Sequence, residues 1–208
     1  MTERPETTPG AEREAAPGRL IVLYGVNNLG KSTQLDLLEK ALEATGHEVS
    51  RYKYPNYDSA SGEIINQNLR EGREDDPLAL QTLMAVNLFQ GQEGLRSELA
   101  AGKTVIVEDY WGTTLAWSLG HELSEDWVRA MVEGLQDPDV AVLLRGERFT
   151  EAKEAGHVHE SNDDLTERVQ QLHLKLAEEF GWHSVDANRS IAEVHADIMK
   201  TVSETVTA

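Results

Sequence analysis

Residues 25–32 read Gly-Val-Asn-Asn-Leu-Gly-Lys-Ser, the spacing G-x-x-x-x-G-K-[ST] of a phosphate cradle. Glycines at 25 and 30 let successive backbone N–H groups turn inward, and the amino terminus of a following helix adds positive potential. In that geometry Gly25, Asn27, Asn28, Leu29 and Gly30 wrap a triphosphate, and Lys31 reaches its β and γ phosphates. Ser32 sets a hydroxyl on Mg²⁺, and Thr33 donates from the first helical turn. A second acidic feature, Glu108-Asp109, closes the apolar run Thr104-Val105-Ile106-Val107. Side chains alternate along a strand, so these two carboxylates are not both expected to face the phosphates. One serves Mg²⁺ or its waters and the other caps the next helix; alternation favours Glu108 for the metal, with Asp109 as the alternative.

The elements that must position these groups follow a strand-helix alternation. Leu20-Ile21-Val22-Leu23-Tyr24 suits a strand buried on both faces and runs directly into the glycine loop. Further strands are predicted over 47–54, 104–108, 140–144 and 182–186. One long helix is expected over 78–99, with Leu80, Leu83, Met84, Leu88, Leu95 and Leu99 on a face. Leu35, Leu38 and Leu42 mark the helix after the loop. Leu165, Val169, Leu172, Leu176 and Phe180 mark another, and Ser190 with Glu193 forms a capping box before the last. The pattern implies an α/β fold of three layers, a parallel sheet with helices on both faces, and ligands beyond the carboxyl ends of the strands. Residues 1–18 have almost nothing to bury and read as a disordered leader; 19–208 read as one domain.

A formal net charge of −18 argues against polyanionic nucleic acid and anionic membrane surfaces as partners. With no cysteine, disulfides, thiolate zinc sites and cysteine nucleophiles are excluded. No apolar run has the length of a membrane span and no secretory signal is visible, so a cytoplasmic location is expected. His157 and His159 lie in a polar stretch beside many acids and read as solvated rather than as zinc ligands, while His121, His173, His183 and His195 have no spacing that suggests a mechanism.

Taken together, Gly25 to Gln34, the strand 104–108 with Tyr110 and Ala116-Trp117 after it, and Val185-Asp186-Ala187 before a terminal helix resemble the thymidylate kinase family. The likeness spans nearly all of residues 19–205. It implies a five-stranded parallel P-loop NTPase sheet, ATP-Mg²⁺ as donor, a deoxynucleoside monophosphate as acceptor, a short lid over about 146–160 and often a homodimer. It places Ala187 at the donor nucleotide. Acceptor contacts are expected from Tyr54, Pro55, Asn56 and Tyr57 after the second strand, Asn87 in the long helix, and Tyr110, Trp111 and Trp117 after the third. Aromatic residues there either stack a base or fill core. The family's arginines at this end are replaced: Asp109 stands in its Asp-Arg-Tyr, the loop 54–58 has none, and Leu88 follows Asn87.

Lys53, Arg70 and Arg73 are the basic residues that could take over those roles. Alternatively the acceptor is a modified nucleotide, a nucleoside or another hydroxyl compound. Arg145 and Arg148 follow the fourth strand at the start of the lid, where Lys153 also falls. They are the candidates to meet charge on the transferred phosphoryl group. Two readings compete with a kinase. Asp109-Tyr110-Trp111-Gly112 imitates the D-x-x-G of a nucleotide switch, although the guanine-reading N-K-x-D is absent, and a non-catalytic nucleotide-binding module also fits a phosphate loop.

Overall fold

A computed structural model of the chain describes residues 17–71, 76–149 and 163–206. Five strands form an all-parallel sheet in the order β2-β3-β1-β4-β5. They are β1 (Arg19–Tyr24), β2 (Val49–Lys53), β3 (Thr104–Glu108), β4 (Val140–Arg145) and β5 (His183–Asp186). The central strands are apolar on both faces because helices cover both: Leu20 through Tyr24 and Val105 through Val107 are wholly buried. The helices are α1 (Lys31–Ala44), α2 (Ala60–Glu71), α3 (Pro77–Gln90), α4 (Gln92–Ala100), α5 (Trp111–Gly120), α6 (Glu125–Val132), α7 (Asp163–Phe180) and α8 (Ile191–Val206). α1 packs on α8, and α5 packs on α7, α3 and α6.

Strand register decides what meets at the carboxyl edge. Lys53 of β2 lies beside Glu108 of β3, which lies beside Leu23 of β1, the penultimate residue before the glycine loop. At the other edge Arg145 of β4 is level with Asp186 of β5.

Most strand and helix positions follow the apolar pattern, and the predicted capping box forms: the Glu193 amide donates to Ser190 Oγ at 3.3 Å, and the Ser190 amide to Glu193 Oε2 at 3.1 Å. The single helix expected over 78–99 is instead two, α3 and α4, broken at Gly91. Residue 91 must be glycine for a packing reason: a Cβ there would lie 2.0 Å from the Tyr54 hydroxyl, so the Tyr54 ring takes that space. Gly18, read as leader, already joins the fold, its amide donating to the Leu99 carbonyl at 2.8 Å. Lys153, His157, His159, Arg73 and most of the expected lid lie outside the described residues.

The core is one large cluster around the sheet plus a small second one, Ile65, Leu69 and Leu80, between α2 and α3. No helix among the described residues is long and apolar enough to cross a membrane.

Candidate active site

The loop between β1 and α1 turns through the left-handed region at Asn28 and Gly30, with φ of 64° and 80°, and through φ 138° at Gly25. At Gly25 a Cβ would lie 2.7 Å from the Leu144 carbonyl, so both backbone angle and space require glycine. Gly30 caps α1, whose first turn carries Lys31, Ser32 and Thr33. Asn27, Asn28, Gly30, Lys31, Ser32 and Thr33 line one end of a cavity of about 320 Å³. The Leu29 side chain is buried instead, leaving only its backbone for a ligand.

Lys31 Nζ donates to the carbonyls of Gly25 at 2.7 Å and Val26 at 3.1 Å and sits 3.4 Å from Asp109 Oδ2. Ser32 Oγ donates to both carboxylate oxygens of Glu108, at 2.8 and 2.9 Å. Glu108 also faces Lys53 Nζ at 3.2 Å and Arg51 at 3.7 Å. The two acids therefore both reach the phosphate loop, contrary to the alternation argument. Strand geometry ends at Glu108, and Asp109 adopts a left-handed φ of 57°, which swings its side chain to the same side. Asp109 also accepts from Thr113 Oγ1 at 2.8 Å, in the first turn of α5, so it does the capping-side work as well. Burial pushes the Asp109 carboxyl above its usual range, Glu108 adds to the rise, and Lys31 opposes it.

The far end of the cavity is lined by Lys53, Tyr54, Pro55, Tyr57, Tyr110 and Trp117, all anticipated there, and by Leu69, Gln81, Met84, Leu88 and Thr114. Three expected contacts are not in it. Trp111 turns away into the core, its ring 5.0 Å from Phe180 edge-on and 5.8 Å from Trp182, while Tyr24 stacks on Trp182 at 4.2 Å. As the first residue of α5 it points opposite to Tyr110, and the sheet-side aromatic cluster claims it. Asn87 is buried and holds the loop: its Oδ1 accepts from the Asn56 amide at 2.7 Å, and its Nδ2 donates to Ser59 and Ser61 Oγ at 2.8 and 2.9 Å. Asn56 is thus the partner of Asn87 rather than a wall of the cavity, and both act by positioning Tyr54, Pro55 and Tyr57.

Arg145 and Arg148 are not among the residues lining this cavity. Arg145 instead borders a smaller one of about 200 Å³ beneath Gly25 and Val26, together with His173. Ala187 is buried after β5, its amide donating to the Arg145 carbonyl at 2.8 Å. The segment after β4 returns to the phosphate loop, where the Phe149 amide donates to the Asn28 carbonyl at 2.8 Å. Gly112 does not form a switch turn, since it lies buried in α5 against Trp182. Among the described residues no group of three or more histidine and carboxylate side chains is arranged to hold a metal ion.

Sequence reasoning missed Gln81, Met84 and Thr114. A signal for Gln81 existed: it is the polar residue at position i of a stripe that continues with Met84 at i+3 and Leu88 at i+7.

Comparison with known proteins bears on the whole arrangement. The thymidylate kinase family model matches residues 23–198. Human thymidylate kinase is 30% identical over 189 residues, covering 88% of this chain and 89% of that protein. The thymidylate kinase of Schizosaccharomyces pombe is 26% identical over 193 residues, covering 89% and 92%. The solved structure of thymidylate kinase from Candida albicans has the same fold, with a TM-score of 0.79 at 21% identity over 92% of this chain and 93% of that one. With the phosphate loop, the carboxylates after β3 and the five-stranded sheet in place, this chain is a member of the thymidylate kinase family of phosphotransferases.

Proposed function

We propose that this protein transfers the γ-phosphoryl group of ATP to an oxygen of thymidylate or a related nucleoside monophosphate, releasing ADP. The observation that carries the reading is one cavity with Lys31, Ser32 and Glu108 at one end and Tyr54, Tyr110 and Trp117 at the other. The first set suits a triphosphate, and the second suits a flat base.

The Ser32 hydroxyl and Glu108 carboxylate, already hydrogen-bonded to each other, are the hard oxygen donors that Mg²⁺ on a nucleotide takes. When bound, Mg²⁺ neutralises phosphate charge. Lys31 then stabilises the charge that develops on the transferred group, while the amides of residues 27–33 fix the donor phosphates. Arg145 or Arg148 would supply further positive charge from the lid side, and Ala187 would border the donor base. Catalysis comes from positioning and electrostatics, without a covalent intermediate. Homodimerisation belongs to the same reading: Leu78, Val86 and Phe89 stand exposed along one face of α3, an apolar stripe that a second copy would cover and that light scattering would detect. A cytoplasmic location is likewise part of the proposal.

A second reading, a kinase of an unphosphorylated nucleoside, is favoured by one observation. Among the described residues lining the cavity the cations are Lys31 and Lys53, and both face carboxylates. An acceptor phosphate would have to compete with Glu108 for Lys53. A coupled ADP-release assay with ATP-Mg²⁺ against thymidylate, other monophosphates, nucleosides and no acceptor separates the two. Turnover with thymidylate supports the first, turnover with nucleosides alone supports the second, and silence with every acceptor refutes both.

A further inference from the structure

The face of α3 that looks into the cavity carries Gln81, Met84 and Leu88, one helical stripe at i, i+3 and i+7. Where the family resemblance led one to expect an arginine, Leu88 presents only methyl groups. The polar member of the stripe lies two turns earlier. Gln81 is 2% exposed, a degree of burial at which a carboxamide normally has all its hydrogen bonds made. One oxygen contact is recorded, Ser118 Oγ donating to Gln81 Oε1 at 3.4 Å, itself buried. That contact turns the carboxamide oxygen toward α5. Among the described residues Nε2 makes no hydrogen bond, and it is not one of the sealed buried atoms: Gln81 lines the cavity, where its two amide donors can meet a ligand or water. The Tyr54 hydroxyl also lacks a partner, but it lies where a Cβ on Gly91 would be, 2.0 Å away, so Gln81 is the carboxamide of this largely apolar and aromatic wall with donors to offer a ligand.

We infer that Gln81 reads the edge of the acceptor's base, its Nε2 donating to a ring carbonyl while Met84, Leu88 and Trp117 enclose the ring. The inference rests on the acceptor-site reading above and holds whether or not the acceptor carries a phosphate. It specifies a chemical class: bases that present a keto oxygen, such as thymine and uracil, over bases that present an amino group at the same edge, such as cytosine. Discrimination of this kind is strong because the wrong edge sets donor against donor once the bound base displaces water from that wall.

Isothermal titration of thymidine, deoxyuridine and deoxycytidine, and of their monophosphates, into the full-length protein tests it without requiring turnover. The wild type should bind thymine and uracil compounds at least tenfold more tightly than the cytosine ones. Gln81→Leu should weaken the keto bases by about 10- to 100-fold. Gln81→Glu, which replaces the donors with acceptors, should shift the thymine-to-cytosine ratio at least tenfold toward cytosine. ATP affinity should stay within twofold in both. A lost packing role would lower all affinities together and leave the ratio unchanged. Gln81→Met serves as a second apolar variant if the leucine variant unfolds. A thymine-to-cytosine ratio within twofold of wild type in the folded variants overturns the inference, as does a wild type that binds none of these compounds. Failure of the kinase proposal looks different: intact base preference in titration with no ADP release.

Discussion

The two ends of the cavity are built on different foundations. The donor end hangs from β1, β3 and α1, whose residues belong to the main core, and its charged and hydroxyl groups at 31, 32 and 108 have short partners: Lys31 with two carbonyls and Asp109, Ser32 with Glu108. The acceptor end takes Tyr54, Leu88 and Tyr110 from that same core, but its outer wall leans on α2 and α3, joined through the small core of Ile65, Leu69 and Leu80, and on the loop that Asn87 ties down. Leu69 and Met84 serve that small core and the cavity wall together. Chemistry common to phosphoryl transfer sits wholly on the main core, whereas the part of the acceptor wall formed by Leu69 and Met84 rests on the small one, where substitutions cost less stability.

The comparison can be broken most directly at Lys31. Lys31→Ala is expected to lower kcat by about 10³-fold or more, roughly 4 kcal/mol of transition-state stabilisation, with acceptor affinity nearly unchanged. Retained turnover would mean that the donor end is not what drives the reaction. Next in size is a contrast between two tryptophans six residues apart. Trp111→Ala removes the centre of the aromatic cluster with Tyr24, Phe180 and Trp182 and should cost about 3–5 kcal/mol in urea unfolding. Trp117→Ala should instead raise the acceptor KM about tenfold while stability changes by about 1 kcal/mol or less. Equal stability losses would erase the distinction between core and wall.

A smaller effect separates the two acids. Glu108→Gln should slow kcat by about 10- to 100-fold, and more than Asp109→Asn does, because Glu108 is the carboxylate bonded to Ser32. The reverse order would move the metal-side role to Asp109. Smallest is a pH effect confined to the donor end. His173 lies buried beneath the phosphate loop, and burial, aided by Lys31, lowers its pKa from 6.5 to about 3. The unfolded chain therefore binds a proton that the folded chain refuses, so stability falls as pH drops below about 6.5. Between pH 6.5 and 5 this should amount to about 1–2 kcal/mol, seen as a drop in Tm that His173→Leu abolishes. A wild-type Tm that is flat over that interval would contradict a neutral buried imidazole.

What could be read in the order of residues was local or periodic. Gly25 to Thr33 are contiguous, so their spacing alone prescribes a loop whose amides converge, and β1 and β3 announce themselves because strands covered on both faces must be apolar throughout. The Ser190 and Glu193 capping box is legible for the same reason, being complete within four residues. Where contacts cross the chain, periodicity fell silent. Nothing near Gly91 in sequence reveals that the Tyr54 hydroxyl needs its space, so the requirement for glycine where α3 gives way to α4 was hidden. Alternation placed Glu108 well but assumed that the strand continued through Asp109, and only the left-handed backbone there turns both acids inward. Trp111 and Trp117 are the same residue type on one short helix. Which of them faces ligand depends on where Phe180, Trp182 and Tyr24 fill the other side. The phosphate chemistry was therefore written in the sequence because its ligands are neighbours along the chain. The acceptor site was decided by tertiary structure, because its wall is assembled from residues on β2, α2, α3 and α5 that meet only when those elements pack.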